Sequence, residues 1–141
     1  MPAISGVVPA RFLTMVSHLV VVVTIFWSKQ EVSVLGSLPL EATKAEVTSK
    51  ETELTVALSV TIALFAVELL GFLSGVTTLN YTQGLLSVCA HASGSIALSF
   101  FLLEGWPLTT YWAVFTFCSA LPAAVEVTLI VCAITCKRRP L

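Results

Sequence analysis

The sequence predicts an all-α integral membrane protein, a single domain in which four antiparallel helices joined by short turns form a bundle. The chain has 141 residues, of which 57% are hydrophobic and 11% are charged. Soluble domains carry about 45–50% apolar and about 25% charged residues. The mean hydropathy is +0.97, and four apolar stretches reach or approach the roughly 20 residues that a helix needs to cross a bilayer. These features favour a membrane domain over a soluble core.

The first apolar stretch covers residues 12–28, between Arg11 and Lys29. Its run of four valines at 20–23 is compatible with a helix in lipid, where every backbone group must be paired internally. No small-x-small cleavage site follows Trp27. We therefore expect this segment to be retained as a signal anchor.

A polar segment follows at residues 29–53, rich in Ser, Thr, Glu and Lys, and it is predicted to be a loop. Three further apolar stretches, at residues 54–76, 85–103 and 111–136, are predicted to be spans two to four. Because only short turns separate these three stretches, they should be antiparallel neighbours.

Basic residues near the span ends predict the orientation. Four spans place both termini on one side, together with Arg11 and the cluster at residues 137–139, against Lys29, Lys44 and Lys50 on the other. The compact cluster beside the last span favours cytoplasmic termini and an extracytoplasmic 29–53 loop.

Two kinds of modification are suggested by short patterns. Asn80 begins an N-glycosylation pattern, but the predicted orientation puts it in a cytoplasmic turn, which disfavours glycosylation there. Cys136, and with less support Cys132, lies near the inner end of the last span, where cysteines can accept palmitate.

Three ionisable residues inside the predicted spans are the candidates for function: Glu68, His91 and Glu126. Counted from the predicted span ends, Glu68 and Glu126 lie about 21 to 23 Å from the outer face, and His91 about 9 Å from the inner face. In a core about 30 Å thick, the three are expected at one level, where they could meet. Charged residues inside a membrane are costly and point to function.

Small residues accompany these groups on the same helix faces. Gly71 and Gly75 follow Glu68 on one face, and Gly94 follows His91, and such residues let helices approach closely. One interpretation is that these residues pack helices, with the carboxyls hydrogen-bonded across the bundle. The other is a proton or cation pathway, in a small transporter or a proton-conducting oligomer, that uses Glu68, His91 and Glu126.

Other function classes lack a supporting pattern. The net charge is −1, so no basic field would attract nucleic acid. The chain contains no Asp, and no catalytic, cofactor-binding or metal-ligating set is recognised. The sequence therefore predicts a non-enzymatic protein without a cofactor.

Several long runs are similar to one known family. They include Pro9-Ala10-Arg11-Phe12-Leu13-Thr14 at the start of the first span, LFAVELLGFLSGV at 64–76, ALSFF at 97–101, TTYW at 109–112 and FCSALPA at 117–123. These runs resemble the transmembrane protein 107 family, and they cover all four spans. The 29–53 segment is the least similar.

The resemblance implies a four-span membrane protein of the ciliary transition zone, at the base of the cilium. It implies a component of the Meckel-syndrome module that recruits or retains other transition-zone proteins, tectonic-type proteins among them. It further implies a role in cilium assembly, ciliary membrane composition and Hedgehog signalling. The partners expected from it are membrane proteins and lipids, and homo-oligomers remain open.

Overall fold

The computed structural model describes the backbone of residues 2–138 and the side chains of residues 5–31 and 36–137. Its elements are α1 (Pro2–Trp27), α2 (Lys29–Ser37), α3 (Lys44–Leu73), α4 (Tyr81–Glu104), α5 (Leu108–Phe115), a π-helical turn (Thr116–Ala120) and α6 (Leu121–Arg138). The described residues contain no strand. The predicted all-α fold is confirmed.

Four segments are long and apolar enough to cross a membrane, namely Ser5–Trp27, Lys44–Leu73, Tyr81–Glu104 and Leu108–Lys137. The fourth combines α5, the π-helical turn and α6 into one continuous span. Leu121 N–H donates to the carbonyl of Thr116 in that turn. Because Pro122 has no N–H and its ring crowds the preceding turn, a π-helical turn just before it accommodates the proline without ending the helix.

The helices are longer than the sequence-predicted spans, and the polar 29–53 segment is mostly helical rather than a loop. It holds α2 and the first turns of α3. The side chain of Thr43 accepts from the N–H of Glu46, and the Glu46 carboxylate accepts from the N–H of Thr43 at 2.7 Å. This capping box starts α3 ten residues before the apolar stretch begins.

Helix α2 packs on the turn between α4 and α5. A Cβ at Gly36 would lie 2.9 Å from the carbonyl oxygen of Gly105, so only glycine allows this approach. The N–H of Leu108 donates to Ser37 Oγ at 2.8 Å. The polar segment is therefore tied to one end of the bundle, the end at which α1 finishes and α3 and α5 begin, here called the α2 end.

The interior is divided along its length. At the α2 end it is apolar, and the buried side chains there include Val22, Ile25, Leu54, Leu58 and Phe101. Towards the other end, where the turn between α3 and α4 lies, the buried side chains are polar and charged. That polar half is the most unusual feature of the bundle, because lipid surrounds it.

Candidate functional site: a buried polar network

Eight polar side chains in the polar half are at most 1% exposed: Arg11, His18, Glu68, Thr77, Gln83, Ser87, His91 and Glu126. They come from α1, α3, α4, α6 and the α3–α4 turn. In hydrocarbon such groups are stable only when they are paired with one another. Their contacts form two clusters.

The first cluster is centred on an ion pair between the first and last helices. Arg11 Nη2 lies 2.6 Å from Glu126 Oε2. Gln83 Nε2 donates to the same oxygen at 2.8 Å, and Thr77 Oγ1 donates to the other carboxylate oxygen. The Glu126 side chain is thus bonded to three segments of the chain, α1, α4 and the α3–α4 turn.

Arg11, the cation of this pair, also contacts groups other than the Glu126 carboxylate. Arg11 Nη1 donates to the carbonyl and to the hydroxyl of Thr77 at 3.4 and 3.3 Å. The guanidinium carbon also lies 5.3 Å from the centre of the Phe72 ring, within the range of a cation–π interaction. Arg11 therefore joins α1 to α6 and to the α3–α4 turn.

Close helix contact is required for this geometry. At Gly71 on α3, a Cβ would lie only 2.8 Å from Cδ of Glu126. At Gly84 on α4, a Cβ would lie 2.6 Å from a methyl group of Val7. Glycine at these positions lets α3 approach α6 and lets α4 approach α1.

The second cluster is a chain of three ionisable side chains from three helices. His91 Nε2 lies 2.9 Å from Glu68 Oε2, and His91 Nδ1 lies 3.0 Å from His18 Nδ1. Of the two facing Nδ1 atoms, one must donate and the other accept. When Glu68 is ionised and both rings are neutral, His91 donates to Glu68 and accepts from His18.

Aromatic and small residues enclose this chain. The Phe65 ring packs edge-on against His18, with ring centres 5.0 Å apart, and lies 5.1 Å from the ring of His91. A Cβ at Gly94 would lie 2.7 Å from Cε1 of His18 and 2.9 Å from Cβ of Cys118. Among the described residues, Nε2 of His18 has no hydrogen-bond partner. The chain is therefore tightly packed and ends at an unpaired nitrogen.

A buried side-chain contact between helices also lies in the apolar half. Thr61 Oγ1 lies 2.8 Å from the hydroxyl of Tyr111, joining α3 to the fourth span. The contact places Thr61 and Tyr111 at the same depth in the bundle. Along α3, Glu68 lies seven residues beyond Thr61, about 10 Å of helix. Along the fourth span, Glu126 lies fifteen residues beyond Tyr111, about 22 Å of helix.

This offset corrects the expectation that Glu68, His91 and Glu126 meet at one level. The structure brings Glu68 and His91 together, but it places Glu126 in a separate contact with Arg11, with its carboxyl beside Gly71, one turn further along α3 than Glu68. The expected depths of Glu68 and Glu126 were counted from Leu54 and Tyr111, which were taken to lie at the same depth. Tyr111 is in fact level with Thr61.

Two more expectations are corrected. Arg11 is not a flanking residue of the first span, because α1 begins at Pro2 and Arg11 is buried, so it does not count toward the orientation. Gly75 does not pack helices: it follows α3 with φ at +80°, and apart from its own chain neighbours no atom lies within 4 Å of the position its Cβ would take. Its role is to turn the chain, for which glycine suits a left-handed backbone.

The candidate modification sites lie at the periphery. Asn80 caps α4, with its side chain accepting from the N–H of Gln83 at 3.0 Å. Cys132 and Cys136 are exposed on α6. Of the basic cluster at 137–139, residue 139 and the side chain of Arg138 lie outside the described residues.

Sequence reasoning missed Arg11, His18, Thr77 and Gln83 as members of the network. Arg11 and His18 are seven residues apart, which is two helical turns and one face. Two polar residues at that spacing, next to or within an apolar stretch, could have indicated that this face of α1 contacts other polar side chains. Within the described part of the chain, no group of three His, Cys, Asp or Glu side chains is placed to hold a metal ion.

Comparison with known proteins identifies relatives of the whole chain. Residues 7–130 match a family model described as a transmembrane protein. Transmembrane protein 107 of Xenopus laevis is 54% identical over 141 residues, which is all of both chains. The proteins of that name from Mus musculus and Homo sapiens are each 53% identical over 140 residues, covering 99% of both chains. No solved structure matches.

Proposed function

Because this chain belongs to the transmembrane protein 107 family, we propose that it is a non-enzymatic membrane scaffold of the ciliary transition zone. In this role it recruits or retains other transition-zone proteins, including tectonic-type members of the Meckel-syndrome module. Cilium assembly, ciliary membrane composition and Hedgehog signalling depend on that recruitment. The sequence resemblance described above supports the ciliary part of the proposal.

The Arg11–Glu126 network is the observation that supports a scaffold. Lipid provides no hydrophobic force to hold helices together, so membrane helices depend on close packing and on polar contacts. Here the buried carboxylate of Glu126 is engaged by Arg11, Thr77 and Gln83 from the same chain. The network fixes the helices relative to each other, and a fixed bundle offers neighbouring proteins a constant outer surface.

The outer surface itself is apolar over most of the bundle. Large side chains that are at least 65% exposed on the four spans include Leu13, Leu70, Leu73, Leu103 and Phe117. Such a surface can be covered by lipid or by spans of other membrane proteins. This is the kind of contact that a scaffold within the membrane uses.

The test is the location of the endogenously tagged protein in ciliated cells, together with the fate of transition-zone proteins after its removal. We expect a narrow band between basal body and axoneme, and dispersal of tectonic-type proteins when the chain is lost. An even spread over other membranes, with the cilium base intact after removal, would contradict the proposal.

The same cells test the orientation. We propose that both termini are cytoplasmic, as the cluster at 137–139 favours. An epitope tag at the C-terminus should be reached by antibody only after the plasma membrane is permeabilised. Staining of intact cells would reverse the orientation without affecting the scaffold.

A second candidate function, proton movement, is favoured by the chain of hydrogen bonds through His18, His91 and Glu68. A proton added at one end of such a chain can be passed on by reversing the shared hydrogen bonds. Glu68→Gln separates the two candidates, because glutamine keeps a hydrogen-bonding group but cannot ionise. Glu41→Gln, at an exposed residue, is the matched control.

A scaffold carrying Glu68→Gln should localise normally and restore partner recruitment, as Glu41→Gln should. Proton flux into liposomes that contain the purified protein should then equal the flux into empty liposomes. Flux that is present in the original chain and lost only in Glu68→Gln would instead support the second candidate. Glu126→Gln does not discriminate, because it also leaves Arg11 buried without its counter-ion.

A further inference from the structure

A groove runs along the outside of the bundle between α1 and α3. One part is a cavity of about 760 Å³ lined by the second half of α1, the start of α2 and Glu51. The other is a cavity of about 380 Å³ lined by Phe12, Met15, Phe65 and their apolar neighbours. Leu19 lines both. The two cavities are therefore neighbours along α1 and meet at Leu19, and together they are called the groove.

The dimensions of the groove match a lipid. From Leu19 to the end of α1 at Trp27 is eight helical residues, about 12 Å, which is close to half of a hydrocarbon core of about 30 Å. The larger cavity thus extends over one leaflet, from the membrane surface to the midplane. The smaller cavity continues from there, and its lining residues are all apolar.

The mouth of the groove has a distinct charge pattern. Lys29 Nζ lies 3.7 Å from Glu51 Oε1 and 5.2 Å from the centre of the Phe26 ring. Glu31 is exposed, and both Glu31 and Trp27 line the same cavity. One ammonium group and two carboxylates therefore face a space that is apolar further in.

We propose that this groove binds one glycerophospholipid with an ethanolamine headgroup. Its phosphate contacts Lys29, its ammonium group donates to Glu31 and Glu51, and an acyl chain follows α1 to Leu19. This site goes beyond the scaffold function, and it holds for either orientation of the chain because the mouth lies at one membrane surface in both.

The charges select this headgroup over other common ones. The mouth carries one positive and two negative side chains, so a headgroup with net negative charge is repelled. A phosphate linked to an amine complements both signs. A primary ammonium donates hydrogen bonds to carboxylates, which strengthens the contact, whereas the quaternary ammonium of choline has no N–H to donate.

The experiment uses the full-length protein reconstituted in nanodiscs with equal amounts of ethanolamine and choline phospholipids of identical acyl chains. After transfer to detergent and washing, native mass spectrometry counts the lipids that stay bound. We expect one retained lipid per chain, with ethanolamine favoured over choline by about two- to fivefold, the effect of one exposed ion pair.

Two variants test the two parts of the groove, each with a matched control. Glu31→Gln should bring the headgroup ratio close to one, while Glu41→Gln should leave it unchanged. Leu19→Trp should fill the groove where the cavities join and lower total retention. Leu13→Trp, on the same helix but outside both cavity linings, should not.

Equal retention of the two headgroups, no retained lipid, or a preference for an anionic phospholipid added in competition would overturn the proposal. So would equal loss of lipid in Leu19→Trp and Leu13→Trp. If Leu19→Trp does not give a monodisperse helical protein, the headgroup ratio in Glu31→Gln decides, because Glu31 is exposed and its replacement does not disturb packing.

Discussion

Replacing Glu126 by glutamine should destabilise the bundle by about 3 kcal/mol. The carboxylate accepts hydrogen bonds from Gln83 and Thr77 and lies 2.6 Å from Arg11, and none of these side chains is more than 1% exposed. Glutamine keeps the size and one acceptor oxygen but removes the charge. Arg11 is then a buried cation with only neutral partners.

The magnitude follows from two estimates that overlap. Breaking a buried ion pair by removing one partner costs about 3–5 kcal/mol. A lone arginine inside a membrane helix costs about 2.5–3.5 kcal/mol on insertion scales. Arg11→Met should cost a similar amount, because Glu126 would then be the uncompensated charge.

The double variant Arg11→Met with Glu126→Gln should cost about 1 kcal/mol, since neutral pairs often replace buried ion pairs with little loss. The coupling between the two sites is then several kcal/mol, far above the average of about 0.6 kcal/mol for polar contacts between membrane helices. Reversible unfolding in bicelles, followed by tryptophan fluorescence, measures all four proteins. This reasoning would be refuted if the free-energy costs of the two single changes simply added in the double variant. It would also be refuted if Glu126→Gln had an effect as small as that of the exposed Glu41→Gln.

Three further predictions use the same unfolding assay. Gly71→Ala should cost about 1–3 kcal/mol through overpacking against the last helix, whereas Gly75→Ala should cost about 1 kcal/mol through its left-handed backbone alone; a reversed order would contradict the packing described here. Tyr111→Phe should cost about 1 kcal/mol for one lost hydrogen bond, and adding Thr61→Val should cost little more, since both changes remove the same contact. Thr43→Ala should cost about 1 kcal/mol and speed hydrogen exchange in the first turn of α3, while unchanged exchange would show that the capping box is dispensable.

The sequence predicted the fold class and the number of spans because apolar composition and helix length are local properties. It also brought Glu68 and His91 together, since each lies on a face with small residues. The start of the first span was wrong because Arg11 was read as a flanking charge. Its partner, Glu126, is 115 residues away, and no local pattern indicates that pairing.

The expectation that Glu126 would meet Glu68 and His91 was wrong for a related reason. Depth counted from a predicted span end depends on where that end lies relative to the other helices. The Thr61–Tyr111 contact sets that relation, and it is a tertiary contact. The helix in the polar segment could have been predicted better, because Thr43 and Glu46 have the spacing of a capping box.

The polar network also explains how α1 acquires one position in the bundle. Its apolar residues, including four successive valines at 20–23, would pack against lipid or protein in several registers. Arg11 and His18 do not allow this, because a slip of one residue turns both side chains by about 100° away from Glu126 and His91. Each wrong register would leave an arginine and a histidine unpaired inside the membrane. Two polar contacts two turns apart therefore specify both the rotation and the depth of this helix, and with them the outer surface that the bundle offers to its partners.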